Sequence, residues 1–227
     1  MGILYVVATP IGNMEDISNR ALRIMSEADL ILCEDTRQTQ KLLNRYEIKK
    51  PSLSYHQHSK LKKVEDIIKM LEDGKVLVLV SDAGTPGISD PGNFLISKIV
   101  EGQKDIQIIP IPGPSALVTA ASISGFLMDR FSFLGFPPVK KKRNKFFEEV
   151  AELKHPVIFY ESPYRILKTL DEISVIDNRL PVVVCRELTK KFETVYRGNI
   201  EEVVERIKNP KIGEKMKGEF VIILKEK

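Results

Sequence analysis

The chain has 227 residues, 43% hydrophobic and 29% charged, which is an ordinary globular composition that can bury a core in one domain or in two small ones. Its 35 Lys and Arg exceed its 31 Asp and Glu, and a net charge of +4 permits an anionic partner such as RNA without requiring one. Two isolated cysteines exclude a disulfide framework, and the absence of an apolar run near ~20 residues excludes a membrane-spanning helix. The amino terminus lacks signal-peptide features, so we expect a soluble, cytoplasmic protein.

The first half of the chain alternates apolar runs with amphipathic segments. Strands are predicted at 3–8, 30–33, 51–55, 76–80 and 106–109. Helices are predicted at 16–27, from Thr36 as cap to about 46, from Ser59 to the stop at Gly74, and at 92–101. This alternation predicts a mostly parallel sheet.

Three of these strands end in loops of small residues, ATPIGN, SDAGTPG and IPGPSA. Because the carboxyl ends of parallel strands meet at one edge of a sheet, we expect the three loops to converge on one ligand. The longest loop, 81–92, holds three glycines and two prolines directly after a buried strand. It is therefore the principal candidate for a ligand site, with Asp82 at the strand end.

The second half begins with a helix predicted at 114–125, with Pro114 in its first turn. We place the domain boundary here, which gives domains 1–114 and 115–227. Strands are predicted at 131–136, 156–160, 181–185 and 220–224, and helices at 146–153, from Ser162-Pro163 onward and at 200–207. The basic run after Pro138, with Lys140, Lys141, Lys142, Arg143 and Lys145, is typical of a solvated face. Because it follows Gly135, Pro137 and Pro138, a mobile loop that contacts phosphates is the alternative.

Several common functional motifs are absent from the sequence. It contains no GxGxxG, no GxxxxGK[ST] and no GxSxG, so the dinucleotide fingerprint, the P-loop and the hydrolase elbow have no support. His56 and His58 form a close pair, but without further ligands they favour a polar surface over a metal site, and we expect no metal.

Seven blocks, in order LYVVATPIGN, CEDTRQTQ, SDAGTPGISDPG, IPGPSA, FLGFPP, FYESPYR and CRELTKKFE, resemble the ribosomal RNA small subunit methyltransferase I family of the tetrapyrrole methylase superfamily. The resemblance covers nearly the whole chain. It implies two α/β domains of tetrapyrrole-methylase type, with S-adenosylmethionine in the inter-domain cleft, and a homodimer. Some members carry an extra carboxyl-terminal segment, which we expect this chain to lack because it ends just after EFVIILK.

The resemblance also implies a reaction and a set of contacts. The family methylates the ribose 2′-hydroxyl of a cytidine in the decoding region of 16S rRNA, so the expected partner is 16S rRNA or the small ribosomal subunit, and neither DNA nor a membrane. Tetrapyrrole enzymes often carry GxGPGD where this chain has ATPIGN, which indicates a different substrate. The implied cofactor contacts are Ile11, Ser81, Asp82 and Thr85 from the first domain, Ser115 and Ala116 from the PGPSA loop at the boundary, and Glu161 and Leu188 from the second domain.

Methyl transfer to a hydroxyl is an in-line displacement, and a base that takes the hydroxyl proton would assist it. We expect Asp35 or Glu187 to be this base, since each follows an apolar strand and lies beside an arginine. Structural ion pairs with those arginines are an equal alternative. Phosphates are expected to bind Arg37, Arg186, Lys190 and Lys191. Tyr160 and Tyr164 are candidates to stack on a flipped base, although a core or wall position is the favoured interpretation.

Two other functions compete with rRNA methylation. A methyltransferase for a small tetrapyrrole would act without RNA, and the EDTR block and the lysine-rich run argue against it. A non-catalytic rRNA-binding protein would be expected to have damaged cofactor loops, whereas all three loops are intact.

Overall fold

A computed structural model describes residues 1–55, 61–90, 92–102, 105–209 and 217–225. The chain divides into two units, Met1–Ser115 and Ala116–Lys227, and each has helices packed on its own five-stranded sheet. The predicted α/β class is therefore confirmed. None of the described helices combines the length and the apolar character that crossing a bilayer requires.

The first unit is organised around a parallel sheet with the strand order β3-β2-β4-β1-β5. Leu4, in β1, lies opposite Leu77 of β4 on one side and Ile108 of β5 on the other. Helices cover both faces, so the inner strands are apolar along their whole length. The mostly parallel sheet predicted for this half is confirmed. The strands are β1 Gly2–Val7, β2 Leu30–Cys33, β3 Ser52–Ser54, β4 Val76–Leu79 and β5 Ile106–Ile111.

Four α-helices cover the two faces of this sheet, α1 and α2 on one face and α3 and α4 on the other. The predicted start of the first helix at Asp16 is wrong, because Met14–Asp16 forms a short 3-10 turn and the Ser18 hydroxyl caps α1 by accepting the Ala21 N–H at 3.1 Å. The predicted start of the third helix at Ser59 lies outside the described residues. The helices are α1 Asn19–Glu27, α2 Thr36–Arg45, α3 Leu61–Glu72 and α4 Asn93–Glu101.

The second unit has a mixed sheet with the strand order β6-β7-β10-β8-β9. The short β6 runs parallel to β7, but β10 is antiparallel to both of its neighbours, and β8 and β9 form an antiparallel pair. The second unit therefore lacks the all-parallel arrangement of the first. The sequence TVYRGN was not predicted as a strand because it has no apolar run. The strands are β6 Ser132–Phe133, β7 Val157–Glu161, β8 Pro181–Arg186, β9 Thr194–Asn199 and β10 Phe220–Leu224.

Three helices of the second unit bury their apolar stripes in a single core, and α5 lies against β7 and β10. Two helix starts predicted from prolines are wrong, because Pro114 precedes the first helical residue by two positions and Pro163 lies in a turn that ends before Ile166. Asn199 and Glu202 form a capping box at the start of α8. The helices are α5 Ala116–Ile123, α6 Arg143–Glu152, α7 Ile166–Ile176 and α8 Ile200–Lys208.

Candidate functional site

The loops that follow β1, β4 and β5 meet at the carboxyl edge of the first sheet, because β1 lies between the other two strands. The Thr9 N–H donates to the Gly84 carbonyl at 2.9 Å, and the Gly84 N–H donates back to the Thr9 carbonyl at 3.0 Å. The Thr9 hydroxyl also donates to the Ser81 carbonyl at 3.3 Å. These bonds hold the ends of β1 and β4 together, in agreement with the predicted convergence of the loops that follow them.

Glycines allow the same three loops to pack closely. Gly84 has a φ of +82°, and a Cβ added there would lie 3.4 Å from the Ile11 side chain. A Cβ added at Gly113 would lie 3.1 Å from the Cβ of Ala8. The Thr85 hydroxyl reaches the third loop by donating to the Pro114 carbonyl at 3.3 Å. The three loops are thus packed against one another at the edge of the sheet where ligands of open α/β sheets bind.

Most of the expected cofactor residues of the first unit shape this surface. Ile11 is buried, and the buried Ser81 hydroxyl donates within its own loop, to the carbonyls of Ala83 at 3.3 Å and Gly84 at 3.5 Å. Asp82 is exposed. Ser115 is half-buried and precedes α5, whose first residue is the expected contact Ala116.

Glu34 is a carboxylate of this edge that the sequence reasoning missed. It lies directly after β2, is half-buried, and accepts a hydrogen bond from the backbone N–H of Asp82. Burial, together with the neighbouring carboxylates of Asp90 and Asp82, raises the pKa of Glu34 to about 7. In return, the Asp82 carboxylate accepts the backbone N–H of Asp35 at 3.1 Å. Two reciprocal bonds therefore join the ends of β2 and β4.

Asp35, one of the two expected proton acceptors, has a structural role at the start of α2. Its carboxylate caps the helix by accepting the Arg37 N–H at 2.8 Å, so the predicted cap at Thr36 is wrong by one residue. The same carboxylate accepts the guanidinium of Arg37 at 2.7 Å. Hydrogen bonds from Arg37 lower the pKa of Asp35 to about 2, so it is ionised and weakly basic at neutral pH. The Arg37 side chain is itself 86% exposed.

Glu187, the other expected proton acceptor, begins the loop after β8. Its carboxylate accepts the Lys190 ammonium at 2.8 Å and the Glu219 N–H at 3.0 Å. Burial would raise the pKa of Glu187, but these two donors and Arg186 hold it below its usual value. The carboxylates of Glu187 and Glu219 in turn raise the pKa of Lys190 against its burial. Arg186 is buried and donates from Nε to the Lys217 carbonyl at 2.9 Å.

Glu161 was expected to contact the cofactor, but its carboxylate is fully buried within the second unit. It accepts the Ser162 N–H at 2.7 Å, the Thr169 hydroxyl at 2.6 Å and the Arg165 guanidinium at 2.8 Å. Arg143 lies 3.8 Å from it. The carboxylate is therefore the centre of an internal polar network. Leu188, the other expected contact from this unit, is also buried.

Arg143 requires a correction, because the basic run is not a uniformly solvated loop. Its side chain is 4% exposed, donates to the Glu172 carboxylate and the Thr169 hydroxyl at 2.7 Å each, and donates to the Pro138 carbonyl at 2.9 Å. Arg143 opens α6, so the run ends in a helix rather than in a mobile loop. Four of the expected RNA contacts here remain exposed, namely Lys140, Lys141, Lys142 and Lys145, as does Lys191 after β8.

The described residues, which leave gaps after 55, 90, 102, 209 and 225, contain no cluster of three or more His, Cys, Asp or Glu suited to a metal ion. His56 and His58 lie outside the described residues, as does Pro91 of the central loop.

Comparison with known proteins places this architecture in a family. The model of the tetrapyrrole (corrin/porphyrin) methylases matches residues 3–204. The ribosomal RNA small subunit methyltransferase I of Halalkalibacterium halodurans is 48% identical over 98% of this chain and 75% of its own length. The protein of the same name from Thermotoga maritima is 41% identical over the full length of both chains.

The chain belongs to the ribosomal RNA small subunit methyltransferase I family, within the tetrapyrrole methylases. Solved structures agree on the fold. A diphthine synthase superposes with a TM-score of 0.72 at 14% identity, over 99% of this chain and 90% of its own. A cobalt precorrin-4 methyltransferase superposes with a TM-score of 0.69 at 18% identity, over 98% and 94%.

The methyl donor of the family is S-adenosylmethionine, and the edge of the first sheet fits such a ligand. The donor carries positive charge on its sulfonium and its amino group, and the carboxylates of Asp82 and Glu34 lie at this edge. At this edge Gly113 is exposed and presents backbone without a side chain. This small methyltransferase therefore has a suitable surface for the donor in its first unit.

Proposed function

We propose that this protein transfers a methyl group from S-adenosylmethionine to the ribose 2′-hydroxyl of a cytidine in the decoding region of 16S rRNA. The observation that carries the proposal is the 41% identity, over the full length of both chains, with a relative named ribosomal RNA small subunit methyltransferase I. The interlocked loops at the edge of the first sheet support it, because they form a surface that matches the donor.

Residues of the first unit are proposed to hold the donor. The carboxylate of Asp82 is placed to attract a cationic group, while Ser81 and Thr85 use their hydroxyls to fix the loop backbone. Ile11 supplies an apolar wall, and Ser115 and Ala116 close the third loop. Glu161 and Leu188 remain the proposed cofactor contacts of the second unit, although both side chains are buried. S-adenosylmethionine supplies an electrophilic methyl group on a sulfonium.

A carboxylate of the chain is proposed to take the proton that the ribose hydroxyl loses when its oxygen bonds to the methyl carbon and the carbon–sulfur bond breaks. Asp35 and Glu187 are the candidates from the sequence, but cationic partners hold both pKa values low. Glu34 is the third candidate and matches the task better, because a base is most effective when its pKa lies near the working pH.

Basic side chains are proposed to bind the RNA backbone. The exposed lysines at 140, 141, 142, 145 and 191 can each meet a phosphate, as can the exposed guanidinium of Arg37. Lys190 and Arg186 are proposed to order this surface rather than to bind phosphate first, since one is held by Glu187 and the other is buried. Arg143 is not among the proposed RNA contacts, because its side chain is buried.

The cellular setting follows from the substrate. We propose that the protein acts in the cytoplasm, where 16S rRNA is found, and that it acts as a homodimer, as the resemblance implies. Sedimentation equilibrium of the full chain, which should give twice the mass of 25.8 kDa, tests the second statement.

The decisive experiment measures transfer of labelled methyl from S-adenosylmethionine. Small ribosomal subunits and naked 16S rRNA, both from cells that lack this activity, are the substrates, and the Asp82→Ala and Asp82→Asn proteins are the controls. We expect label on a cytidine ribose with the wild type and little with either variant. Label in neither substrate, with the donor still bound, would favour a small-molecule methyltransferase. Failure to bind the donor at all would favour a non-catalytic RNA-binding protein.

A further inference from the structure

The loop between β8 and β9, residues 187–193, has a backbone conformation that non-glycine residues rarely adopt. Glu187 has a φ of +51° and Thr189 a φ of +66°, so two non-glycine residues within three positions are left-handed. This conformation is especially unfavourable for a β-branched residue such as threonine. Such strain persists only where the surrounding structure enforces it, and it concentrates at ligand-binding positions.

The contacts around the loop enforce this conformation, and those described below do not involve the ring of Phe192. Glu187 is bound by Lys190 and by the Glu219 N–H, and Leu188 is buried beneath the loop. At the other end, the Thr189 N–H donates to the Glu193 carboxylate at 2.6 Å. The loop is therefore fixed from within, and its tip does not depend on packing of the aromatic ring.

What this fixed loop presents is an aromatic ring beside a cation. Phe192 is 63% exposed, and the Lys191 ammonium lies 5.7 Å from the centre of its ring. The charges of Glu187 and Lys190 oppose each other, and Glu193 is engaged by a backbone N–H. The tip thus combines an accessible ring face with a local positive charge.

We propose that Phe192 is a stacking platform for an unpaired nucleobase of the RNA substrate and that Lys191 binds a phosphate next to that base. This inference rests on the proposed function and adds a base-binding position to it. Single-stranded nucleic acids are bound in this way, with aromatic rings that stack on bases and cations that follow the backbone. The strained loop fixes the ring before binding, so the ring loses little conformational freedom when a base stacks on it.

The other exposed or clustered aromatic rings of the second unit are less suited to the task. Tyr160 packs edge-on against Phe133 at 4.9 Å and against Phe136 at 5.4 Å, so it is a wall residue, as the favoured interpretation of the sequence had it. Tyr164 is 95% exposed, so the favoured core or wall position is wrong for it, and no cation–ring contact is found for it among the described residues. Tyr164→Leu therefore serves as the matched control.

The test uses the full chain and compares Phe192→Leu with Phe192→Tyr. Leucine keeps the apolar bulk but removes the ring, whereas tyrosine keeps the ring. With a short single-stranded oligocytidine as the probe, Phe192→Leu should weaken binding by between about 5-fold and about 100-fold, and Phe192→Tyr and Tyr164→Leu should stay within about 2-fold of wild type. Lys191→Gln should lower the salt slope of binding by about 1, which Phe192→Leu should not do.

Three outcomes would overturn the inference. Wild-type affinity of Phe192→Leu for the oligonucleotide would show that no base stacks on the ring. Equal losses with Phe192→Leu and Phe192→Tyr would show that the ring face is not what binds. A change in oligomeric mass of Phe192→Leu would assign the ring to contact with a second copy of the chain. Each is distinguishable from failure of the proposed function, in which the wild type would transfer no methyl to rRNA.

Discussion

Replacing Arg143 by methionine should destabilise the second unit strongly, although the residue belongs to a basic run. Its side chain is 4% exposed and donates to Glu172, to Thr169 and to the Pro138 carbonyl. It also lies 3.8 Å from Glu161, whose side chain is fully buried. Removing one partner of a buried, hydrogen-bonded charge network leaves the other charges uncompensated, at a cost of about 3–5 kcal/mol. We expect a loss of this size for Arg143→Met.

The matched control is Lys141→Met, which changes an exposed lysine of the same run and should alter stability by less than about 0.5 kcal/mol. Because the chain has two units, a single unfolding transition is a poor measure. Hydrogen exchange of peptides that cover α6 and α7 reports the second unit directly. Equal protection of these helices in Arg143→Met and Lys141→Met would refute the internal role of Arg143 and restore it to the RNA-binding set.

Three further predictions concern the candidate site. For Glu34, the folded pKa of about 7 exceeds the ordinary 4.5, so the stability gained by keeping the proton is fully present below pH 4.5 and is lost as the pH rises to 7. Hydrogen exchange of peptides that cover β2 and α2 should therefore show Glu34→Gln to be more stable than wild type at pH 8, by about 1 kcal/mol after solvent screening, but not at pH 4. A difference that is independent of pH would contradict this. Replacing Lys140, Lys141 and Lys145 together by Gln should lower the salt slope of RNA binding by about 2 without changing the affinity for S-adenosylmethionine, and an unchanged slope would remove this run from the interface. Gly84→Ala and Gly74→Ala place a side chain at φ values of +82° and +85°, and each should lower the free energy of unfolding by about 1 kcal/mol. Only Gly84 is bonded to Thr9 at the edge of the sheet, so only Gly84→Ala should weaken S-adenosylmethionine binding in calorimetry, by about 5-fold.

The features that the sequence could predict are those that depend on neighbouring residues. The runs that became β2 and β10 were predicted at their observed bounds, because an apolar stretch between polar ends has one interpretation. The convergence of the three small-residue loops was also predictable, since it follows from a parallel sheet and right-handed connections. The same rules do not give the strand directions of the second unit, where a strand from the end of the chain, β10, is inserted between β7 and β8.

The interior position of Arg143 depends on Glu161, Thr169 and Glu172, which lie 18 to 29 residues farther along the chain. No local pattern reveals such distant partners. One signal was nevertheless available. Arg143, Phe147 and Val150 are the buried residues of α6, and their spacing of four and three is that of a helix face. Starting the helix at Phe146 left Arg143 outside this pattern and grouped it with the exposed lysines. A basic run that precedes an apolar stripe should therefore be tested for the helical phase of each of its cations.

The contrast between Glu34 and Asp35 shows why we propose Glu34, rather than its neighbour, as the proton acceptor. The two carboxylates are adjacent, yet Asp35 is turned toward the start of α2 and Arg37, whereas Glu34 remains half-buried beside Asp82 and Asp90. These surroundings separate their pKa values, to about 2 and about 7. A pair separated in this way assigns distinct tasks, with a permanent anion that orders structure and a group that can exchange a proton near neutral pH. The direction of the backbone at the end of β2 determines which carboxylate takes which role, and the sequence Glu34-Asp35 alone does not reveal it.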